Sequence, residues 1–194
     1  MKQKLKRALV GAGERGQYCY APYAKMHGYE IEFVAVADPH KGRREKFVQD
    51  YHVPAEGVFE TAEQFFARPR MADAVLICTQ DSQHYAYACQ AIDLGYSILL
   101  EKPISPSVRE CLDLQRRAEE KGTQIMVCHV MRYTKFYRKL KELIDSGVIG
   151  DVVHVTHTEN VAYWHYAHSY VRGNWRRAEE SSPMILAKSC HDMD

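Results

Sequence analysis

Residues 7–16, Arg7-Ala8-Leu9-Val10-Gly11-Ala12-Gly13-Glu14-Arg15-Gly16, decide how this chain folds. A short apolar run breaks on a glycine, and the break has the spacing G-x-G-x-x-G. Alone that spacing is a weak signal. Here a helix-length stretch, 14–27, follows it, and then a second apolar run, Ile31 to Ala37, that ends on Asp38-Pro39. Strand, glycine turn, helix, strand and terminal acid together are the context that a dinucleotide fingerprint requires. Gly11 permits the tight turn, Gly13 lets the backbone approach a pyrophosphate, and Gly16 allows the helix to pack closely on the strand. Ala12, Glu14 and Arg15 fill the rest of the loop, whose free N–H groups and helix dipole favour an anion. The competing reading is a glycine-rich turn without a ligand, and Asp38 argues against it.

Working outward, further apolar runs follow at Ala74 to Cys78, Ser97 to Leu100 and Gln124 to Val130, with a shorter one at Gly57-Val58-Phe59. Helix-length stretches at 40–51, 61–68, 82–94 and 106–121 separate them. Near-continuous apolar strands alternating with helices imply a parallel sheet covered on both faces. The expected fold class is α/β, a doubly wound (Rossmann) sheet over residues 1–130. Residues 131–194 then begin a truncated α/β substrate and oligomerisation domain. In it a helix over 135–146 ends at Gly147. Asp151 to Thr158 alternates apolar and polar residues as a half-buried strand does, 159–181 reads as a long loop, and Pro183 opens a helix still running at Asp194. A lone strand and an unfinished helix cannot bury their own apolar faces, so a fragment of a longer protein is expected.

Composition bounds the partners. The chain has 194 residues, 46% hydrophobic and 26% charged, with a formal net charge of +1. That offers no basic field for nucleic acid and no polybasic face for a membrane surface. No apolar run approaches the roughly 20 residues that cross a bilayer, and the basic start Met1 to Arg7 lacks the apolar stretch of a signal peptide. The six cysteines stand apart, without C-x-x-C. They read as small reduced hydrophobes of a cytoplasmic protein.

At the end of the second strand, Asp38 would accept hydrogen bonds from adenosine ribose hydroxyls and repel a 2′-phosphate, which favours NAD over NADP without excluding the latter. Arg43 and Arg44 can receive such a phosphate, yet read better as a solvated helix face. Glu101-Lys102-Pro103 stands where the strand ending at Leu100 meets its loop, the edge at which open parallel sheets bind ligands. There Lys102 would polarise a substrate oxygen; a solvated loop lysine is the plainer reading of the position alone.

These segments resemble the glucose–fructose oxidoreductase and inositol dehydrogenase family. The resemblance rests on Gly11 to Gly16, Asp38-Pro39, Thr79 to His84 (TQDSQH), Glu101-Lys102-Pro103-Ile104, Arg132-Tyr133 and Ile144 to Gly150. It implies an enzyme that uses a nicotinamide cofactor to move a hydride to or from a sugar, cyclitol or related alcohol, and a homo-oligomeric full-length form. Carried over by position, Lys102 matches the family's catalytic lysine, His191 its second-domain histidine and Asp194 the acid one turn later. Thr79, His84 and Glu101 fall in the cofactor-binding motifs. Ala187 stands where the family usually has an aspartate, so the Lys–Asp–His set is incomplete here. Lys188 reads as an exterior partner of Asp192 at i+4. A neutral imidazole at His191 would serve as general acid and base.

The segment Asn160 to Trp175 combines aromatic, His, Arg and Asn side chains that suit a sugar ring, with Tyr163, Trp164, His165, Arg172 and Trp175 as candidate contacts. Packing against a missing sheet explains them equally well. No metal is expected: in a strand, His154 and His157 would point to opposite faces, and His165 with His168 lacks a further ligand. Two other functions stay open. One is an NAD-dependent glycosidase or epimerase that recycles its cofactor; the other is a non-catalytic dinucleotide-binding protein.

Overall fold

Six strands make one parallel sheet: β1 (Leu5–Val10), β2 (Ile31–Ala37), β3 (Val58–Phe59), β4 (Ala74–Ile77), β5 (Ser97–Leu100) and β6 (Ile125–Val127). Their spatial order is β3-β2-β1-β4-β5-β6. Chain order therefore reverses direction between β1 and β4, and a doubly wound sheet opens a crevice for ligands beyond the strand ends at that point. The computed structural model describes residues 3–194. The chain divides into two compact units, the first closing at Val127 and the second running from Cys128 to Asp194.

Both faces of the sheet are covered, which is why its strands read as unbroken apolar runs. On one face Ala8, Val10, Val75, Ile77 and Leu100 meet Phe65 of α3 (Ala62–Phe66), Ala88 and Ile92 of α4 (His84–Asp93), and Leu114 of α5 (Val108–Lys121). On the other, Leu9, Phe33, Val36 and Leu76 meet Phe47 of α2 (Lys41–Tyr51). Leu9 and Val10 go to opposite layers, as the period of two along a strand demands.

The helix expected over 14–27 is split. Glu14–Tyr20 forms a π-helical turn and α1 covers only Pro22–Met26. Pro22 has no N–H, and its ring crowds the carbonyl four residues back. At that break the Ala21 N–H reaches the Gly16 carbonyl five residues behind, at 3.0 Å.

The second unit contains α6 (Lys135–Asp145), α7 (Tyr163–Tyr166), a π-helical turn over Ala167–Val171 and α8 (Met184–Ser189). Three expectations are corrected. Residues 151–158 form no strand: a ladder needs a neighbouring strand, and among the described residues this unit has none. Val153 consequently stands 95% exposed. Part of the expected loop is helical, and the last helix stops at Ser189 instead of running to Asp194.

Candidate functional site

The glycine loop leaves β1 and turns beneath the tip of β4. Gly11 has φ +93°, and a Cβ there would stand 2.5 Å from the Cys78 carbonyl oxygen. At Gly16 a Cβ would fall 2.4 Å from the Gly11 carbonyl oxygen, so the π-helical turn sits directly on the loop. Gly13 differs, because its missing Cβ faces open space with the Arg43 guanidinium Nη1 as nearest atom at 4.0 Å. The fold needs the outer two glycines; the middle one keeps a surface bare.

Asp38 is buried at the end of β2 and fastens this loop. One carboxylate oxygen accepts the Ala12 N–H at 2.7 Å, and the other accepts the His40 N–H at 2.8 Å. Arg44 is not the solvated side chain expected from sequence. It is buried, donates to the Asp38 carbonyl at 2.6 Å and pairs with Glu60 at 3.2 Å. Arg43 remains exposed, beside Gly13.

Lys102 follows β5 in a loop braced from three sides. Glu101 is buried; its carboxylate accepts the Tyr20 hydroxyl from the π-helical turn and the Lys102 N–H at 2.9 Å. The peptide between Lys102 and Pro103 is cis. His84, at the start of α4, is fully buried: Nδ1 lies 2.7 Å from the Pro103 carbonyl oxygen and Nε2 3.2 Å from that of Thr79. His84 is thus an enclosed ring between two carbonyls, and it ties the loops after β4 and β5 together. Burial alone would lower the Arg15 guanidinium, but the Glu101 carboxylate and Cys19 outweigh it and raise it. Thr79 Oγ1 is buried without a hydrogen-bond partner among the described residues. Gly11 to Gly16, Asp38, Thr79, Glu101 and Lys102 thus share the carboxyl edge of the sheet.

In the second unit Asp194 forms a fork with the Arg132 guanidinium through both oxygens and lies 3.5 Å from His129 Nδ1. The Arg132 hydrogen bonds hold its carboxyl below the ordinary value. The His191 ring lies edge-on to His129, centroids 6.1 Å apart. His129 and the Arg132 pairing are what sequence reasoning missed; Arg132-Tyr133 was quoted only as a motif. Ala187 is buried. Lys188 does not pair with Asp192: it reaches Glu159 at 2.8 Å, while Asp192 pairs with His157 at 3.3 Å. His154 instead meets Thr156 Oγ1 at 3.0 Å. Among the candidate sugar contacts, His165 and Trp175 each lie beside the Tyr170 ring, while Tyr163, Trp164 and Arg172 are exposed.

Comparison with known proteins agrees with this architecture. A family model described as an oxidoreductase family with an NAD-binding Rossmann fold matches residues 5–129. The same family's C-terminal alpha/beta domain matches residues 141–194. The chain belongs to this oxidoreductase family. Among its relatives, a 2,7-anhydro-N-acetylneuraminate hydratase of Mediterraneibacter gnavus is 28% identical over 96% of the chain and 47% of its own length. A scyllo-inositol 2-dehydrogenase (NADP(+)) of Bacillus subtilis is 26% identical over 94% of the chain and 48% of its own length. The chain thus spans about half the length of the curated relatives it matches. In fold it is similar to the WlbA dehydrogenase of Bordetella pertussis, solved with NADH and UDP-GlcNAcA, with a TM-score of 0.78 at 19% identity over 98% of this chain and 56% of that one. No helix among the described residues is long and apolar enough to cross a membrane.

Proposed function

We propose that this chain holds NAD(H) and serves an oxidoreductase that moves a hydride between the nicotinamide and a sugar, cyclitol or related alcohol. The observation that carries the reading is the gathering of the glycine loop, Asp38, Thr79 and Lys102 on the carboxyl edge of the sheet. The residues fit the cofactor. Bare backbone at Gly13 leaves room for a pyrophosphate, and the orphaned Thr79 hydroxyl, buried beside the loop, gains a partner when the crevice fills. Asp38 keeps lone pairs for the ribose hydroxyls after taking its two backbone donors. When bound, the nicotinamide supplies the hydride acceptor or donor.

The chain's own groups do the rest. Gly11 to Gly16 orient the phosphates, and the Glu101, Tyr20 and His84 contacts fix the loop that presents Lys102 to the substrate oxygen. Lys102 polarises that oxygen, and His191, beside His129 and the Asp194–Arg132 pair, moves the hydroxyl proton. Tyr163, Trp164, His165, Arg172 and Trp175 supply sugar contacts. The names of relatives, inositol dehydrogenases among them, support an alcohol of this class. The test is NADH fluorescence on titration, followed by NADH production with the full-length protein against sugars and cyclitols. Absence of saturable binding at millimolar NADH sinks the reading.

One relative favours a second reading, because its name is that of a hydratase, whose net reaction is redox-neutral. In that case the substrate is oxidised and re-reduced within one turnover, and Lys102 and His191 serve the intervening elimination and the addition of water that follows it. Product then forms without net NADH.

A further inference from the structure

His157, Glu159 and Asp192 belong to none of the assignments above, yet they bring one imidazole nitrogen and two carboxylate oxygens within 4.8 Å of one another. The set is built from an extended segment and the turn after α8. Two residues apart on extended chain, His157 and Glu159 are placed to present their side chains on one side. Asp192 comes back to them from 33 residues further along the chain.

The decisive atom is on Asp192. Its side chain is only 6% exposed. One oxygen faces His157 Nε2 at 3.3 Å, while Oδ2 is buried with no hydrogen-bond partner among the described residues. A buried carboxylate oxygen without a donor is costly, and buried charges are ordinarily paired or bound to metal. Glu159 supplies a second carboxylate, one oxygen of which lies 2.8 Å from Lys188 Nζ.

We propose that His157, Glu159 and Asp192 form a binding site for a divalent transition cation of the zinc type. The donor set decides the class: magnesium and calcium prefer all-oxygen ligands, whereas zinc accepts an imidazole beside carboxylates. The spacing agrees. With bonds of about 2.0–2.1 Å in a tetrahedral site, neighbouring ligand atoms stand about 3.3 Å apart, which is the observed separation of His157 Nε2 and Asp192 Oδ1. Three protein ligands leave a position for water on the side of the cavity that these residues line with Ile185, Ser189 and Cys190. Lys188 pairs with Glu159 at 2.8 Å and so competes with a metal ion for that carboxylate, and its charge weakens metal binding.

The test uses the whole chain, stripped with a chelator. Zn2+ is titrated by calorimetry and Co2+ by visible absorption. One equivalent should bind, with cobalt d–d bands and no thiolate charge-transfer band of the kind Cys190 would give. Asp192→Asn, which keeps shape, and His157→Ala should each weaken binding by about tenfold or more, with an unchanged circular dichroism spectrum. Lys188→Met should tighten it several-fold, and His165→Ala and Cys190→Ser should leave it unaltered. No saturable binding at millimolar metal overturns the site. So does binding that survives in His157→Ala, disappears in Cys190→Ser, or fails to tighten in Lys188→Met. None of these outcomes bears on NADH binding, so the oxidoreductase reading stands or falls separately.

Discussion

Gly13 and Gly11 occupy one short loop, but substitution should separate their roles. A side chain at Gly13 meets nothing of the protein closer than Arg43 at 4.0 Å. Gly13→Val should therefore fold with an unchanged melting temperature and lose NADH binding. At Gly11 a Cβ would collide with the Cys78 carbonyl in a left-handed conformation, so Gly11→Ala should cost about 3 kcal/mol of stability. Equal melting temperatures for the two variants would remove the distinction. Arg43 provides the second residue-scale prediction. Wild type should prefer NADH, because Asp38 repels a 2′-phosphate. In Asp38→Ser that repulsion goes and the Arg43 guanidinium becomes the anchor for NADPH. A hydrogen bond to a charged group contributes about 1.5–3 kcal/mol, so adding Arg43→Ala should weaken NADPH by about tenfold or more and leave NADH nearly unmoved. Loss of both cofactors alike would show that Arg43 acts on the loop and not on the phosphate. The glycines and Asp38 were legible because each answers a local demand of the turn or the strand end. The role of Arg44 was not. Its burial follows from Glu60, 16 residues away, and from a carbonyl that only the folded chain places within reach.

At the scale of elements, the parallel strands were readable because burial on both faces writes them as unbroken apolar runs. The braces between their loops were not, since Tyr20 and Glu101 are 81 residues apart and His84 is 19 residues from the Pro103 carbonyl it holds. His84→Leu keeps the volume and strips both contacts. Either neutral tautomer of an imidazole carries a single N–H, so the change should cost about 1–3 kcal/mol through the one carbonyl that loses its donor, read as a lowered midpoint in urea; an unchanged midpoint would mean that water replaces the ring. The second unit was the least legible. Residues 151–158 carry the alternation of a strand, but a strand is made by its neighbour, and pattern alone cannot supply one. Its polar pairs were equally hidden: Arg132 finds Asp194 62 residues on. Because Arg132 lowers the Asp194 carboxyl, the stabilisation from this pair is present above the unfolded carboxylate value of about 3.9. It is lost as pH falls through the folded value, which lies lower. Asp194→Asn should melt about 2–4 °C below wild type at pH 7, and the gap should close in acid. A gap that does not narrow at all as pH falls would assign the loss to packing.

For the whole molecule, the groups proposed to hold the cofactor lie between Gly11 and Lys102, inside the first unit and on one edge of one sheet. A ligand that binds the folded state alone stabilises it by mass action, by about 2.7 kcal/mol at a hundredfold excess over Kd. For a unit of this size that should raise the melting midpoint by roughly 10 °C. Hydrogen exchange gives the shift an address. Exposed loop amides exchange through local openings, so the amides of residues 11–16 and 79–84 should slow most on adding NADH. Those of β3, at the far edge of the sheet, should change only through the overall gain in stability. Gly13→Val is the control that separates binding from a general effect of added nucleotide. It should keep the wild-type midpoint without NADH and show no rise with it. A rise of the same size in Gly13→Val would mean that NADH binds elsewhere on the chain. A midpoint that does not move in wild type would mean that the glycine loop, Asp38 and Lys102, although gathered on one edge, do not make a cofactor site.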